Sequence, residues 1–388
     1  MRTSWAAVAV LAAFFLVCVR HAWRVAPGEA PDEPAHTEYA AHLAQRGTLP
    51  VFNWPENPYG NQMIQPPAYY WAGGMILKAA KGLSLLSRLR LLRLLSAVLQ
   101  TGALFFIWLI GRRLFQGNES LAPLLLAASL PMASFIGGSV TNDAAVNLAG
   151  AAMLWAVLAR RPEGWSWDVG LGVLFGAALL CKATALPVIG ACSLYLLWPD
   201  PACPRRGWRR LAAIAATALA VAGWFYARNY RLYGDPWGYS RIQLYDTARF
   251  GWSELPTWLS LYFQSFWGRF GWMTRPMPLW TYALLGLFTA AVAVGWLRDG
   301  RALASRPGRR LLLLAMGLTL LQNFMYGFLM THQPQGRHSF VALGAWAVLF
   351  YDGLSSWCGA WSPRRKAAAR WAAAAVVVAV QAAAWSRM

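Results

Sequence analysis

Acidic side chains are scarce in this chain of 388 residues. It has 15 Asp and Glu against 35 Lys and Arg, and charged residues make up 13% of the sequence, against about 25% in soluble domains. The position of each carboxylate is therefore informative about any proton-transfer chemistry. The formal net charge of +20 would suit a nucleic-acid partner, but the chain carries no RNA- or DNA-binding motif.

Two further absences narrow the function. The five cysteines show no CxxC spacing, so no metal or disulfide framework is predicted. The sequence also lacks the Walker A, GxGxxG, HExxH and GxSxG motifs. ATP-driven transport, nucleotide-sugar binding by a Rossmann domain, zinc proteolysis and α/β-hydrolase chemistry therefore have no signature here.

Apolar runs, in contrast, recur along the whole chain, which is 58% hydrophobic. Runs of about 18 or more residues predict an all-α polytopic membrane protein. About eleven spans are predicted, at 4–23, 90–111, 119–139, 144–159, 167–182, 184–198, 210–227, 278–297, 311–330, 339–357 and 368–385. We expect one membrane domain over 1–388, with amphipathic juxtamembrane helices in a first outer loop, 24–89, and a second long outer loop, 228–277.

One more apolar segment, 67–86, decides the topology. If it does not cross the membrane, seventeen basic residues in short loops fall on one side, which the positive-inside tendency makes the inner side. If it crosses, those residues fall outside. We therefore predict that 67–86 is an interfacial helix on the outer face. Nine of the 15 acidic residues then lie on that face, and so does any chemistry.

The segment Pro31-Asp32-Glu33-Pro34-Ala35-His36 places two adjacent carboxylates and a histidine just after the first span. One interpretation is purely structural, with Asp32 as a helix N-cap and Glu33 in the first turn. The functional interpretation is that one carboxylate orients the segment while the other is a general base. A base at a low-dielectric membrane boundary has its pKa raised toward useful values.

Other outer-face residues are candidates for substrate contacts. Asn142-Asp143 begins a span and is either a helix cap or a hydroxyl or metal contact. Outer-face cations could clamp a phosphate, although snorkelling to lipid phosphates is the alternative. The candidate binding residues are His36, Gln65, Tyr69, Tyr70, Asn142, Asp143, Lys182, Arg228, Arg269, Arg337 and His338, with Arg337 the first choice for the phosphate.

The order and placement of several short motifs resemble the GT-C glycosyltransferases. The motifs are Asp32-Glu33-Pro34-Ala35-His36, Gln65-Pro66-Pro67-Ala68-Tyr69-Tyr70-Trp71, Asn142-Asp143, the segment Arg228 to Pro236, Phe266 to Trp272, and Gln335-Gly336-Arg337-His338. The nearest branches are the bacterial protein O-mannosyltransferase-like and aminoarabinose-transferase-like enzymes and their uncharacterised relatives. The resemblance covers most of the chain, from about residue 1 to 345.

That resemblance implies a GT-C-like fold, a polyprenyl-phosphate sugar donor and a carboxylate base in the first outer loop, here Asp32 with Glu33 as runner-up. It implies a multi-pass protein of the bacterial inner membrane whose active site faces the periplasm. The aminoarabinose-type enzymes carry a Glu-Lys pair before the two prolines, where this chain has Ile64 and Gln65. A carboxylate and a cation are therefore missing at these positions. Whether a divalent metal ion binds stays open, and Glu56 or His36 could take the place of the missing ligand.

The sequence thus predicts an inverting transferase that moves a sugar from a polyprenyl-phosphate donor to an acceptor hydroxyl on a glycan, lipid or protein. Two alternatives stay open. A lipid-linked glycan polymerase or ligase predicts an oligosaccharyl donor. A non-catalytic transporter of lipid-linked oligosaccharide predicts lipid binding without turnover.

Overall fold

The computed structural model describes residues 2–53, 60–159, 165–197, 208–242, 251–331, 333–358, 376–377 and 379–387. Within these ranges the chain forms sixteen α-helices and one short β-hairpin. The helices are α1 Arg2–Arg24, α2 Glu33–Arg46, α3 Ala68–Ala79, α4 Leu85–Leu114, α5 Ala122–Ala128, α6 Pro131–Gly137, α7 Asp143–Leu158, α8 Trp165–Cys181, α9 Leu186–Leu197, α10 Trp208–Tyr233, α11 Tyr239–Ile242, α12 Leu255–Trp267, α13 Leu279–Asp299, α14 Arg301–Ser305, α15 Arg309–Phe324 and α16 Leu343–Cys358. The strands are β1 Arg269–Phe270 and β2 Arg275–Pro276, paired antiparallel.

The all-α membrane architecture is confirmed, whereas the count of about eleven spans is not. Six helices in the described ranges are long and apolar enough to cross a membrane, or seven if the pair 117–128 and 131–137, bent by 69°, is one span. Three predicted spans form shorter apolar helices, Asp143–Leu158, Trp165–Cys181 and Ala183–Leu197. The last predicted span, 368–385, lies largely outside the described residues.

The segment 67–86 forms a helix of only 12 residues, α3. A helix needs about 20 residues to cross the hydrocarbon core, so α3 is too short to span. It packs instead against α2, where Gly73 and Gly74 lie within van der Waals contact of Ala40 and Leu43. The juxtamembrane pair expected in the first outer loop is therefore present.

The core of the bundle is formed by α4 and α7, with α1, α6 and α16 packed around them. The segment Gly336–Ala342, a 3₁₀ helix, packs tightly between α7 and α12. A Cβ at Gly150 would collide with the Val341 carbonyl oxygen, and one at Gly336 would collide with that of Tyr262. Glycine at these two positions lets the backbone approach closely enough to carry Arg337 into the centre of the molecule.

The two ends of the bundle differ in their charged contacts. At one end of α7 and α8, Arg113 donates to the Leu158 carbonyl and Arg210 pairs with Asp168. The opposite ends of the same helices carry Asp143 and Lys182. The arginines predicted to face inward therefore lie at the far end of α7 and α8 from these two side chains.

Candidate active site

A buried ion pair organises the loop that follows α1. Glu33 and Arg93 are each 1% exposed, and they form two parallel hydrogen bonds of 2.8 and 2.6 Å. Arg93 also donates to the carbonyls of Ala22, Val25 and Ala26 at the end of α1. The arginine therefore satisfies helix carbonyls that have no intrahelical partner and ties them to the start of α2.

Glu33, the runner-up base predicted from the sequence, is enclosed by hydrogen-bond donors. Its carboxylate accepts two further hydrogen bonds, from the backbone N–H groups of Gly28 and Val140, both at 3.1 Å. Four donors surround this carboxylate, which does not line the cavity described below. Through Arg93, it ties the start of α2 to α4.

Asp32 has a different environment. Its backbone lies in the left-handed region, with φ of 61°, which is costly for residues other than glycine and best tolerated by Asn and Asp. It occupies the N-cap position of α2, yet its side chain makes no capping hydrogen bond. The strained backbone turns the carboxylate away from the helix terminus, and the side chain stays 28% exposed.

Asp32 faces a cavity of about 350 Å³, within the range of ~300–1,000 Å³ usual for ligand pockets. The residues lining it are Asp32, His36, Gln62, Gln65, Thr141, Asp143, Lys182, Ala183, Thr184, Tyr239, Gln322, Asn323, Tyr326, Gln333, Arg337 and His338. Seven of the residues predicted from sequence thus meet in one place: Asp32, His36, Gln65, Asp143, Lys182, Arg337 and His338.

Charges of alternating sign run along one part of the wall. Lys182 Nζ lies 2.5 Å from Asp143 Oδ1, and Arg337 lies 3.8 Å from both Asp143 Oδ2 and Asp32 Oδ2. The contact between Arg337 and Asp32 is longer than a hydrogen bond, so the guanidinium stays close to this carboxylate without saturating it. Arg337 is itself oriented by the Gln335 side chain, at 2.8 Å.

Burial sets the protonation of the two titratable groups on the juxtamembrane segment. It raises the pKa of Asp32 above the usual value for an aspartate, an effect that Arg337 and Lys182 partly oppose. Burial, assisted by the charge of Lys182, lowers the pKa of His36 to about 3, so this imidazole is neutral near pH 7. His36 Nδ1 is hydrogen-bonded to the Tyr70 hydroxyl at 2.8 Å, which fixes the ring.

Three predicted binding residues support the wall from behind. Tyr69 and Tyr70 are 2% and 0% exposed, so neither ring is open to lipid headgroups. Tyr70 stacks on Tyr39 with ring centroids 3.9 Å apart, and the Tyr69 hydroxyl bonds Ser96 at 2.8 Å. Asn142 is fully buried and donates to the Cys181 carbonyl, next to Lys182.

Two predicted phosphate ligands lie elsewhere. Arg228 donates to the Pro50 carbonyl at 2.6 Å, which anchors the first outer loop to α10. Arg269 donates to the Met273 carbonyl and the Gln264 side chain, which closes the β-hairpin. Neither residue lines the cavity. Their guanidinium groups donate instead to backbone carbonyls, which attract a guanidinium as phosphate oxygens do.

Sequence reasoning missed Arg93 and the polar residues that α15 contributes, Gln322 and Asn323. Arg93 follows Arg88 and Arg90 in a basic run, which is typical of interfacial snorkelling. The dipeptide Gln322-Asn323 is the available signal on α15, because amides inside an apolar run face protein or a cavity rather than lipid.

The residues that the structure describes around the cavity do not fit a divalent metal ion. Among the described residues, no three His, Cys, Asp or Glu side chains are grouped to hold one. The two carboxylates that line the cavity already face Lys182 and Arg337, so the positive charge that a metal would bring is supplied by side chains. Glu56, the other suggested ligand, lies outside the described residues.

Comparison with known proteins gives one family match. Residues 65–226 match the model of the family described as dolichyl-phosphate-mannose-protein mannosyltransferase. A search of curated proteins gives no significant match.

Solved structures share the fold. ArnT from Cupriavidus metallidurans bound to undecaprenyl phosphate superposes with a TM-score of 0.57 and 18% identity, over 94% of this chain and 62% of ArnT. The oligosaccharyltransferase AglB from Archaeoglobus fulgidus, in complex with an inhibitory peptide and a dolichol-phosphate, gives 0.58 and 14%, over 98% of this chain and 55% of AglB. This chain thus spans less than two thirds of either protein. The chain therefore has the GT-C-like fold that these two proteins share, and the family model matches the part of it from residue 65 to residue 226.

Proposed function

We propose that this protein transfers a sugar from a polyprenyl-phosphate donor to an acceptor hydroxyl, with inversion at the anomeric carbon. The observation that carries the proposal is the meeting of Asp32, Arg337 and Lys182 in one cavity. A carboxylate with a raised pKa is suited to remove a proton, and two cations beside it are suited to a phosphate.

The step uses these groups as follows. The acceptor oxygen forms a bond to the anomeric carbon as its proton passes to the Asp32 carboxylate. The bond from the anomeric carbon to the phosphate oxygen breaks, and the electron pair leaves with the lipid phosphate. Arg337 and Lys182 stabilise the negative charge that develops on that phosphate. Asp143 holds Lys182 in place at 2.5 Å and lies 3.8 Å from Arg337, whose side chain is oriented by Gln335.

The polarity of the bundle supports an active site on the outer side of the membrane. The inward-predicted Arg113 and Arg210 lie at the far ends of α7 and α8 from the cavity, in agreement with the positive-inside tendency. We propose that the donor lies in the outer leaflet of the bacterial inner membrane and that the cavity faces the periplasm.

Native mass spectrometry of the gently purified protein tests the proposal first. A bound polyprenyl monophosphate, with or without one sugar, is the expected result, and it would select the donors for a transfer assay. A long oligosaccharide on a pyrophosphate lipid would favour the polymerase or ligase instead. Bulk phospholipid alone, followed by no turnover with any polyprenyl-phosphate sugar, would contradict the proposal.

Loss of the Arg337 charge is expected to weaken donor use. Arg337→Gln removes a charge-assisted contact to phosphate, which contributes about 1.5–3 kcal/mol, so kcat/KM should fall by about 10- to 150-fold. Arg337→Lys should retain part of the activity. The control is Arg231→Gln, at an exposed arginine of α10 away from the cavity lining. Equal activity of Arg337→Gln and the control would exclude Arg337 as a phosphate ligand.

The rate should depend on pH through Asp32. The carboxylate form is the base, so kcat/KM is lost as pH falls through its pKa, and burial moves that loss to a higher pH than for an ordinary aspartate. Arg337 lowers this pKa, so Arg337→Gln should shift the acidic limb to still higher pH, while Arg337→Lys should not. If the acidic limb of the pH profile of kcat/KM lies at the same pH in wild type and Arg337→Gln, the titrating group is not Asp32.

A further inference from the structure

A second, uncharged part of the cavity wall comes from the end of α15. Gln322, Asn323 and Tyr326 line the cavity there, where the α-helix gives way to a π-helical segment, Met325–Met330. Such segments are uncommon and frequently occur at functional sites. The proposed transfer assigns no role to these residues.

The Asn323 amide is held in one orientation by two hydroxyl groups. Its Nδ2 donates to the Tyr262 hydroxyl at 3.0 Å and to the Ser339 hydroxyl at 2.9 Å, and the two hydroxyls bond each other. One hydroxyl must donate its proton to the other, so both cannot also donate to Asn323. At least one contact therefore requires the amide nitrogen, which fixes the direction of the amide.

Since the nitrogen is used by Tyr262 and Ser339, the amide end that remains for a ligand is the carbonyl oxygen. Asn323 is 6% exposed and lines the cavity, so this oxygen is a rigid acceptor. A rigid acceptor is satisfied by a hydroxyl donor, and a site built for such a bond discriminates strongly against ligands that lack it.

The charges of the cavity limit the ligand further. Among the described lining residues the only carboxylates are Asp32 and Asp143, and both lie beside Arg337. A cationic amino sugar would therefore find no carboxylate other than the proposed base, Asp32, and Asp143, which pairs with Lys182. An anionic sugar would add negative charge next to two carboxylates and the donor phosphate.

We propose that Asn323 is a specificity-determining residue that accepts a hydrogen bond from a hydroxyl of the donor sugar, and that this sugar is uncharged, a neutral pentose or hexose. This inference rests on the proposed function, because it names the sugar that the same cavity would hold. Tyr262 and Ser339 are positioning residues that act through Asn323.

Displacement of labelled polyprenyl phosphate tests the inference without an acceptor. The competitors are polyprenyl phosphates carrying a neutral pentose, a neutral hexose, a 4-amino-4-deoxypentose or a uronic acid. A neutral-sugar donor should bind at least about tenfold more tightly than the charged donors and than bare polyprenyl phosphate. Tighter binding of a charged donor, or equal binding of all of them, would overturn the inference while leaving the transferase intact. Failure of any polyprenyl phosphate to bind would instead contradict the proposed function.

A single substitution gives the sharper result. Asn323→Asp keeps the side-chain shape but replaces the donating amide nitrogen by an oxygen, which accepts from whichever hydroxyl of the Tyr262–Ser339 pair has its proton free. It adds a carboxylate to the neutral wall. The ratio of amino-sugar to neutral-sugar affinity should rise at least about tenfold. Gln45→Glu adds the same charge on an exposed face of α2 and should leave that ratio unchanged. If both variants change the ratio equally, the effect is general electrostatics and Asn323 does not contact the sugar.

Discussion

Asp32→Asn is expected to reduce kcat/KM by about 10²- to 10⁴-fold, the range that general-base catalysis contributes. The substitution keeps the shape of the side chain, and asparagine tolerates the left-handed backbone found at this position. The thermal midpoint and the affinity for polyprenyl phosphate should therefore stay close to those of the wild type. The comparison combines initial rates, a melting curve and a lipid-binding assay on the same preparation.

Two control variants accompany Asp32→Asn. Asp32→Gly relieves the strain of a φ of 61° and should be at least as stable as wild type, yet inactive. Glu38→Gln, on the same helix but outside the cavity lining, should be active. Wild-type rates in Asp32→Asn would show that another group takes the proton and would refute the mechanism.

Arg93→Met is expected to have the largest effect on stability. It leaves the Glu33 carboxylate buried without its counter-ion, and breaking a buried pair in this way costs about 3–5 kcal/mol. It also removes the donors for three carbonyls at the end of α1. We expect a clear drop in the thermal midpoint in detergent and loss of activity, since the same contacts position the Asp32 loop.

A more exposed arginine provides the matched comparison. Arg306 pairs with Asp299 at 2.7 Å and lies 3.6 Å from Asp352, which keeps Arg309 as its close partner. The Arg306 side chain is 37% exposed, and exposed pairs contribute about 0–1 kcal/mol. Arg306→Met should therefore change the midpoint little. The double variant Arg93→Met/Glu33→Gln should recover part of the loss, because it removes the stranded charge. Equal losses for Arg93→Met and Arg306→Met would show that the buried pair does not organise the loop.

The sequence predicted the helices well because long apolar runs must be helical in a membrane, where every backbone polar group needs an internal partner. It predicted less well how many of them cross. The apolar segments that form α7, α8 and α9 have the composition of membrane spans, but the helices are only 12 to 17 residues long. Their length depends on where the flanking loops interrupt the helix. Packing determines that, and hydropathy does not report it.

The site shows the same division. The pair Asp32-Glu33 pointed to a loop that lines the cavity because two adjacent carboxylates are conspicuous in a chain so poor in acids. Arg93, sixty residues away, pairs with Glu33 and leaves Asp32 as the carboxylate that faces the cavity. The sequence around Arg93 resembles an ordinary run of interfacial arginines, so it gave no sign of this pairing. Arg228 and Arg269 have the right charge and predicted side, yet nearby carbonyls occupy them. Asn323 carried no charge to draw attention to it, and its role depends on two hydroxyls from other helices.

The short length of α7 sets the depth of the chemistry. Its 16 residues rise about 24 Å at 1.5 Å per residue, less than the ~30 Å hydrocarbon thickness of a bilayer. A helix of this length that stands along the bilayer normal, with its far end at the opposite boundary, would place Asp143 and Lys182 roughly 6 Å below the plane that a full-length helix reaches. At that depth the phosphate of the proposed donor would have to sink only slightly to reach the lysine. Its isoprenoid chain could stay among the acyl chains, so the proposed substrate would not have to be lifted out of the membrane.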